Sequence, residues 1–195
     1  AGAALEATRG QGALVLGPGL GRTPEALAFA REVARGAGVG VVLDADGLNA
    51  HAGAPEALAA RTAPTVLTPH AGELGRLLGI DSAQVGSRRL HHARDAARRT
   101  GAVVVLKGDD TLVAAPDGRV AVSPGGAPGL ATAGTGDVLS GICGALLAAG
   151  LEPLAAASAA VWIHLRAGQL AASPHGPGGV IASDVLAAVP AASAG

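Results

Sequence analysis

The sequence contains one cysteine, one tryptophan, one phenylalanine, no tyrosine and no methionine. Each scarcity excludes something. With Cys143 as its only cysteine the chain cannot form an internal disulfide, and a reducing, cytoplasmic setting is the default expectation. Aromatics at 1% leave the core to Ala, Val, Leu and Ile, small side chains that let helices pack close to their neighbours. A formal net charge of −1 supplies no basic footprint for nucleic acid or for an anionic membrane surface. No apolar run has the uninterrupted length of a membrane span. The first residues, AGAALEATRG, have neither the basic nor the apolar region of a signal peptide. Lysine is also scarce: Lys107 is the only one among 14 Lys and Arg residues.

What is present is a chain of 195 residues, 49% hydrophobic, long enough for one medium domain with a real core. Continuous apolar runs at 13–17, 39–45, 65–69 and 102–108 read as buried strands. A hairpin is expected over 111–122, turning at Asp117-Gly118. Thr23-Pro24 opens a helix reaching about Gly36, because Thr caps well and Pro is favoured at the first helical position. Further helices are expected over 55–61, 72–79, 82–100, 136–149 and 153–172, with a last one from Ser183 or Asp184. The Pro/Gly stretch 173–179 reads as a loop. Unbroken apolar strands alternating with helices indicate an α/β fold, a mainly parallel sheet covered on both faces. Arg88, Arg89, Arg94, Arg98 and Arg99 read as one solvated helix face, and His91-His92 as surface residues. Cys143 and His164 read as packed residues of apolar helices.

In open α/β sheets, ligands sit at the carboxyl ends of the strands. Here those ends read GPGLG, DADGLN, TPHAGE and KGDDT, all rich in Gly or polar groups. Gly134-Thr135-Gly136-Asp137 then opens an apolar helix. A helix N-terminus carries unpaired N–H groups and partial positive charge, and glycines let a phosphate approach them. Asp137 reads as a general base beside that anion nest, with simple helix capping as the alternative. Lys107 through Thr111, at a strand end, reads as a nucleotide contact or as the lead-in to a hairpin. His70 and Glu73 flank a strand-to-helix turn, where Glu73 also suits the helix dipole. Asp44 and Asp46 are ligand contacts or turn formers. No structural zinc spacing, nucleophile elbow or Walker A motif is present, and no metal ligand is assigned.

Together GPGLG (17–21), DADGLN (44–49), TPHAGELGRLLG (68–79), LKGDDTLV (106–113), AGTGDVLSG (133–141) and IASDVL (181–186) resemble the ADP/ATP-dependent NAD(P)H-hydrate dehydratase family of the ribokinase-like superfamily. The pieces fall in family order over nearly the whole chain. The resemblance implies a three-layer α/β/α domain over 1–195. It implies repair of hydrated NADH or NADPH: the ring hydroxyl is phosphorylated from ADP or ATP with Mg²⁺, and loss of phosphate restores the double bond. Asp137 is then the catalytic base and Gly134, Thr135 and Gly136 the anion hole. Lys107, Gly108, Asp109, Asp110, Thr111 and Gly136 would contact the nucleotide. Gly19, Gly21, Asp46, Asn49, His70, Glu73 and Asp137 would contact the hydrated dinucleotide. A homotetramer is also implied.

Two departures stand out. Family members carry strands and a Gly-rich turn ahead of the position of residue 1, so the chain is expected to be N-terminally incomplete and its sheet to lack those strands. The family's H-G-x-A-G-D reads HLRAGQ here (164–169), keeping His164, Ala167 and Gly168 and losing a Gly and an Asp, so no catalytic role is assigned there. A vitamin or sugar kinase of the same superfamily, or a truncated domain that binds nucleotide without turnover, are the alternative readings.

Overall fold

The computed structural model describes residues 1–194. Six strands form one sheet in the order β1 (Ala13–Leu16), β2 (Gly40–Leu43), β3 (Thr65–Leu67), β4 (Val103–Leu106), β5 (Leu112–Ala114) and β6 (Val120–Val122). The first four run parallel, and β5 and β6 return antiparallel through the turn at Asp117-Gly118. Gly118 there has φ +94°, which glycine adopts without a steric penalty.

Strand pleating sends alternate side chains to opposite faces. Val41, Leu43, Leu67, Val104 and Leu106 face one layer, made of α2 (Pro24–Gly36), α3 (Asp46–Asn49), α4 (Ala71–Leu78) and α6 (Arg89–Thr100). Val42, Val66, Val103 and Val105 face the other, made of α7 (Thr135–Ala148) and α8 (Pro153–His175). Burial on both faces explains why these strands read as continuous apolar runs. The partners offered by the helices are small: Ala93, Ala96 and Ala97 on one side, Ala156, Ala157 and Ala160 on the other, all fully buried. A short α1 (Gly2–Ala7) lies against α2, and α9 (Ala182–Ser193) packs on α8. Cys143 is buried in the α7 layer, and burial pushes its thiol up to about 12.

Three expected elements differ. The single helix over 82–100 is two, α5 (Ser82–Ser87) and α6, broken at Arg88, whose φ −141° and ψ 48° are not helical. Asp81 caps the first piece in a capping box with Gln84, while Val85 pins it to the core. The helix over 55–61 is a 3₁₀ turn at Pro55–Leu58. The stretch 173–179 is not one loop: α8 continues through it to His175, and Pro177–Gly179 form a 3₁₀ turn. Continuation costs little there, because Ala171, Ala172 and Ser173 are compatible with helix and Gly176, at φ +71°, ends it.

The arginine run is also divided by that break. Arg88, Arg94 and Arg98 are exposed, but Arg89 turns inward beneath the end of β4. Among the described residues, no helix is long and apolar enough to cross a membrane.

Candidate active site

The parallel pairing brings the carboxyl ends of β1 to β4 to one edge, with the N-terminus of α7 beside them. At the end of β2 the backbone turns sharply. Ala45 takes φ +47° and ψ −117°, a conformation that L residues rarely adopt. That turn separates two carboxylates. Asp44, 2% exposed, points inward, and Asp46 points to the loop after β1.

Asp44 anchors a buried polar cluster. Its Oδ1 accepts from Lys107 Nζ at 3.0 Å and from the Ala45 N–H at 2.9 Å, and its Oδ2 accepts from Ser140 Oγ at 2.5 Å. Lys107 also lies 3.7 Å from Glu73 Oε2. Glu73 in turn accepts from the His70 N–H at 2.9 Å, so the capping box of α4 is tied to the same cation. A Cβ placed on Gly136 would lie 3.5 Å from Lys107 Nζ and 3.9 Å from Asp44 Oδ2. The ammonium therefore sits under the first turn of α7. This accounts for the sole lysine in a chain otherwise committed to arginine: a compact point charge fits between two carboxylates beneath a helix.

Asp46 serves the loop. Its Oδ2 accepts from the Gly21 N–H at 3.1 Å, and its Oδ1 accepts from Arg22 Nε at 2.7 Å and Asn49 Nδ2 at 3.0 Å. The Arg22 hydrogen bond holds the Asp46 carboxyl below the usual carboxylate range. Arg76 donates to Asn49 Oδ1 at 2.7 Å, joining α4 to this group. Gly17 has φ +129°, and a Cβ there would fall 1.9 Å from the Asp44 carbonyl oxygen, so only glycine fits.

Gly134, at φ +86°, leads into α7. Thr135 Oγ1 donates to the Leu130 and Thr132 carbonyls, and His164 Nε2 donates to the Thr135 carbonyl at 2.8 Å. That bond fixes the imidazole with its proton on Nε2, and burial pushes His164 down to about 4. Sequence reasoning placed His164 in packing; the structure adds that it braces the helix opening.

These parts border a cavity of about 920 Å³. Of the residues singled out from sequence, His70, Lys107, Gly108, Asp109, Thr111, Gly134, Thr135 and Gly136 line it. Leu130, Leu139, Val161 and Leu165 supply an aliphatic wall. Gly19, Gly21, Asp46, Asn49, Glu73, Asp110 and Asp137 are outside the lining. Glu73 is buried behind it, and Asp137 is exposed on the first turn of α7. Among the described residues no side chain donates to the Asp137 carboxylate, and no group of three or more His, Cys, Asp or Glu is placed to hold a metal ion.

A mainly parallel sheet between two helical layers, with a glycine-opened helix and a large cavity at its carboxyl edge, is the ribokinase-like fold. Residues 2–191 match the family model described as NAD(P)H-hydrate dehydratase, and the chain belongs to that family. A bifunctional NAD(P)H-hydrate repair enzyme of Salinibacter ruber is 45% identical over 193 residues, 98% of this chain and 35% of the relative. An ADP-dependent (S)-NAD(P)H-hydrate dehydratase of Xanthomonas campestris is 38% identical over 91% of this chain and 60% of its own length. The crystal structure of the ADP/ATP-dependent NAD(P)H-hydrate dehydratase of Bacillus subtilis, co-crystallised with ATP and Mg²⁺, is 31% identical with a TM-score of 0.79. That match covers 96% of this chain and 67% of the other. The chain thus spans about a third of the Salinibacter relative.

Proposed function

We propose that this domain restores hydrated NADH or NADPH by nucleotide-dependent dehydration, with ADP or ATP as phosphoryl donor. The observation that carries the reading is the helix opening at Gly134–Gly136, where the Gly134 and Gly136 N–H groups have no acceptor among the described residues and border a cavity also lined by His70 and the turn after β4. In-line phosphoryl transfer needs positioning and charge stabilisation more than covalent help. The helix opening stabilises the transferring phosphoryl group. Asp137 takes the proton of the ring hydroxyl as its oxygen bonds to phosphorus and the nucleotide leaves. The ring nitrogen's lone pair then expels the phosphate, and loss of a proton from the neighbouring carbon restores the double bond.

Lys107, Gly108, Asp109, Asp110 and Thr111 belong to the nucleotide side in this reading, against the aliphatic wall. His70, with the loop held by Asp46 and Asn49, belongs to the hydrated dinucleotide. His70 Nδ1 accepts from the Gly72 N–H at 2.9 Å, which puts the ring proton on Nε2, 3.5 Å from Glu73 Oε1. Mg²⁺ fits the site as a phosphate-bound ion, which needs only one or two protein carboxylates, and Asp109 stands in the cavity wall to provide one. Bound there, the ion would neutralise phosphate charge. A cytoplasmic, self-associating protein is part of the same reading, supported by the single cysteine of the sequence and by exposed Trp162, Ile181 and Leu186.

The test is recovery of reduced-nicotinamide absorbance from hydrated NADH with Mg²⁺ and either nucleotide. Nucleotide-dependent recovery is expected, and the donor that supports it is then identified. A phosphorylated acceptor that accumulates without recovery would instead make this a kinase. Bound nucleotide with no product at all would make it a binding domain.

A further inference from the structure

Arg89 lies where the predicted helix breaks, and its guanidinium is drawn under the end of β4. Nη2 donates to the carbonyls of Asp110 at 2.8 Å and Leu106 at 3.3 Å, and Nη1 donates to that of Lys107 at 3.4 Å. One planar fork therefore holds both ends of the turn 107–110. Gly108 rests directly on it: a Cβ there would lie 2.5 Å from Nη2 and 2.6 Å from Nη1. From the other side Ser123 Oγ accepts from the Thr111 N–H at 2.9 Å, and Thr111 Oγ1 donates to the Gly108 carbonyl at 3.2 Å. The turn is clamped between the hairpin and a cation. Arg89 Nε is buried and has no hydrogen-bond partner among the described residues, an exception that calls for a physical reason. The Asp110 carboxylate is 3.9 Å away, beyond hydrogen-bond range.

We propose that Arg89 is the positioning residue of the nucleotide-facing turn, holding Lys107 to Asp109 against the cavity through the carbonyls at the turn's two ends. The inference rests on the nucleotide reading above. It explains why position 108 is glycine, since any side chain there displaces the guanidinium. It also gives Asp110, which does not line the cavity, a place in the site through its carbonyl. Lysine cannot substitute, because three carbonyls are met by one rigid fork.

Four single variants and one double variant test this. Arg89→Lys and Arg89→Gln should each speed amide hydrogen exchange at residues 108–111 by about tenfold in the nucleotide-free protein, the scale of one or two lost charge-assisted hydrogen bonds. Exchange in the interior of β2 and α7 should keep the parent rate. The ADP dissociation constant by calorimetry should rise by about tenfold or more. Gly108→Ala should give a similar loss in the parent, but no added loss beside Arg89→Ala, where the guanidinium it strikes is gone. Uniformly faster exchange, with ADP binding unchanged, would reduce Arg89 to a general stability residue and overturn the proposal. Additive losses for Gly108→Ala and Arg89→Ala would overturn it too. A parent that binds neither ADP nor ATP overturns the nucleotide reading itself, and this inference with it.

Discussion

Removing Lys107 should cost more than removing either of the carboxylates it joins. Its ammonium is 3.0 Å from Asp44 and 3.7 Å from Glu73, and its side chain is 23% exposed. At an effective dielectric of ~20 these contacts correspond to about 5.5 and about 4.5 kcal/mol of attraction. Desolvation of three ions opposes that gain, so the intact cluster contributes little net stability. Breaking it is another matter. Lys107→Met leaves two buried carboxylates facing one another with no cation, and should destabilise by about 3–5 kcal/mol. Asp44→Ala strands the ammonium with Glu73 alone and leaves Ser140 Oγ with the Gly136 carbonyl as acceptor, costing about 3 kcal/mol. The double variant should cost clearly less than the sum, with a coupling of about 2 kcal/mol. Urea unfolding at pH 7 measures all three, with unchanged m values required for the comparison. A loss of 3 kcal/mol should lower Tm by roughly 6–12 °C in a chain of this length. Single variants within about 0.5 kcal/mol of the parent, or an additive double variant, would refute the buried-cluster argument.

Asp137→Asn should lower turnover by about 10²–10⁴-fold while leaving ADP affinity within about twofold, since the carboxylate is exposed and unpaired among the described residues; calorimetry beside the absorbance assay checks both. His164 is held neutral down to about pH 4 in the fold, whereas the unfolded chain protonates it below about 6.5. Its contribution is therefore fully present above pH 6.5 and is lost as pH falls toward 4, by about 3 kcal/mol. His164→Gln should flatten the stability profile between those limits, and an unchanged slope would contradict the assignment. Gly17→Ala forces a Cβ onto the Asp44 carbonyl at φ +129° and should cost more than about 4 kcal/mol, read as loss of soluble protein or of the urea midpoint.

Most of the architecture is legible in the chain because it depends on local pattern. Unbroken Val and Leu runs declare strands buried on two faces, and Thr23-Pro24 declares a helix start that the structure bears out with a 3.2 Å cap from the Ala26 N–H to Thr23 Oγ1. The ordered motifs identify the family. Boundaries fail where tertiary contacts decide. Residues 82–100 carry no proline or helix-ending glycine at Arg88, yet two segments with different core contacts must be joined there, and the backbone breaks. A helical pattern alone gives Arg89 the same solvated face as Arg94, and the break turns it inward.

The layered α/β order, the glycine-rich carboxyl ends of the strands and the family are readable along the chain, because period, turn chemistry and motif spacing are properties of neighbouring residues. The partners of the buried charges come from packing. Lys107 and Asp44 are 63 positions apart, and Ser140 is 96 from Asp44. A parallel sheet joins strands through long crossovers, so which charges meet at its edge depends on packing that no local window contains.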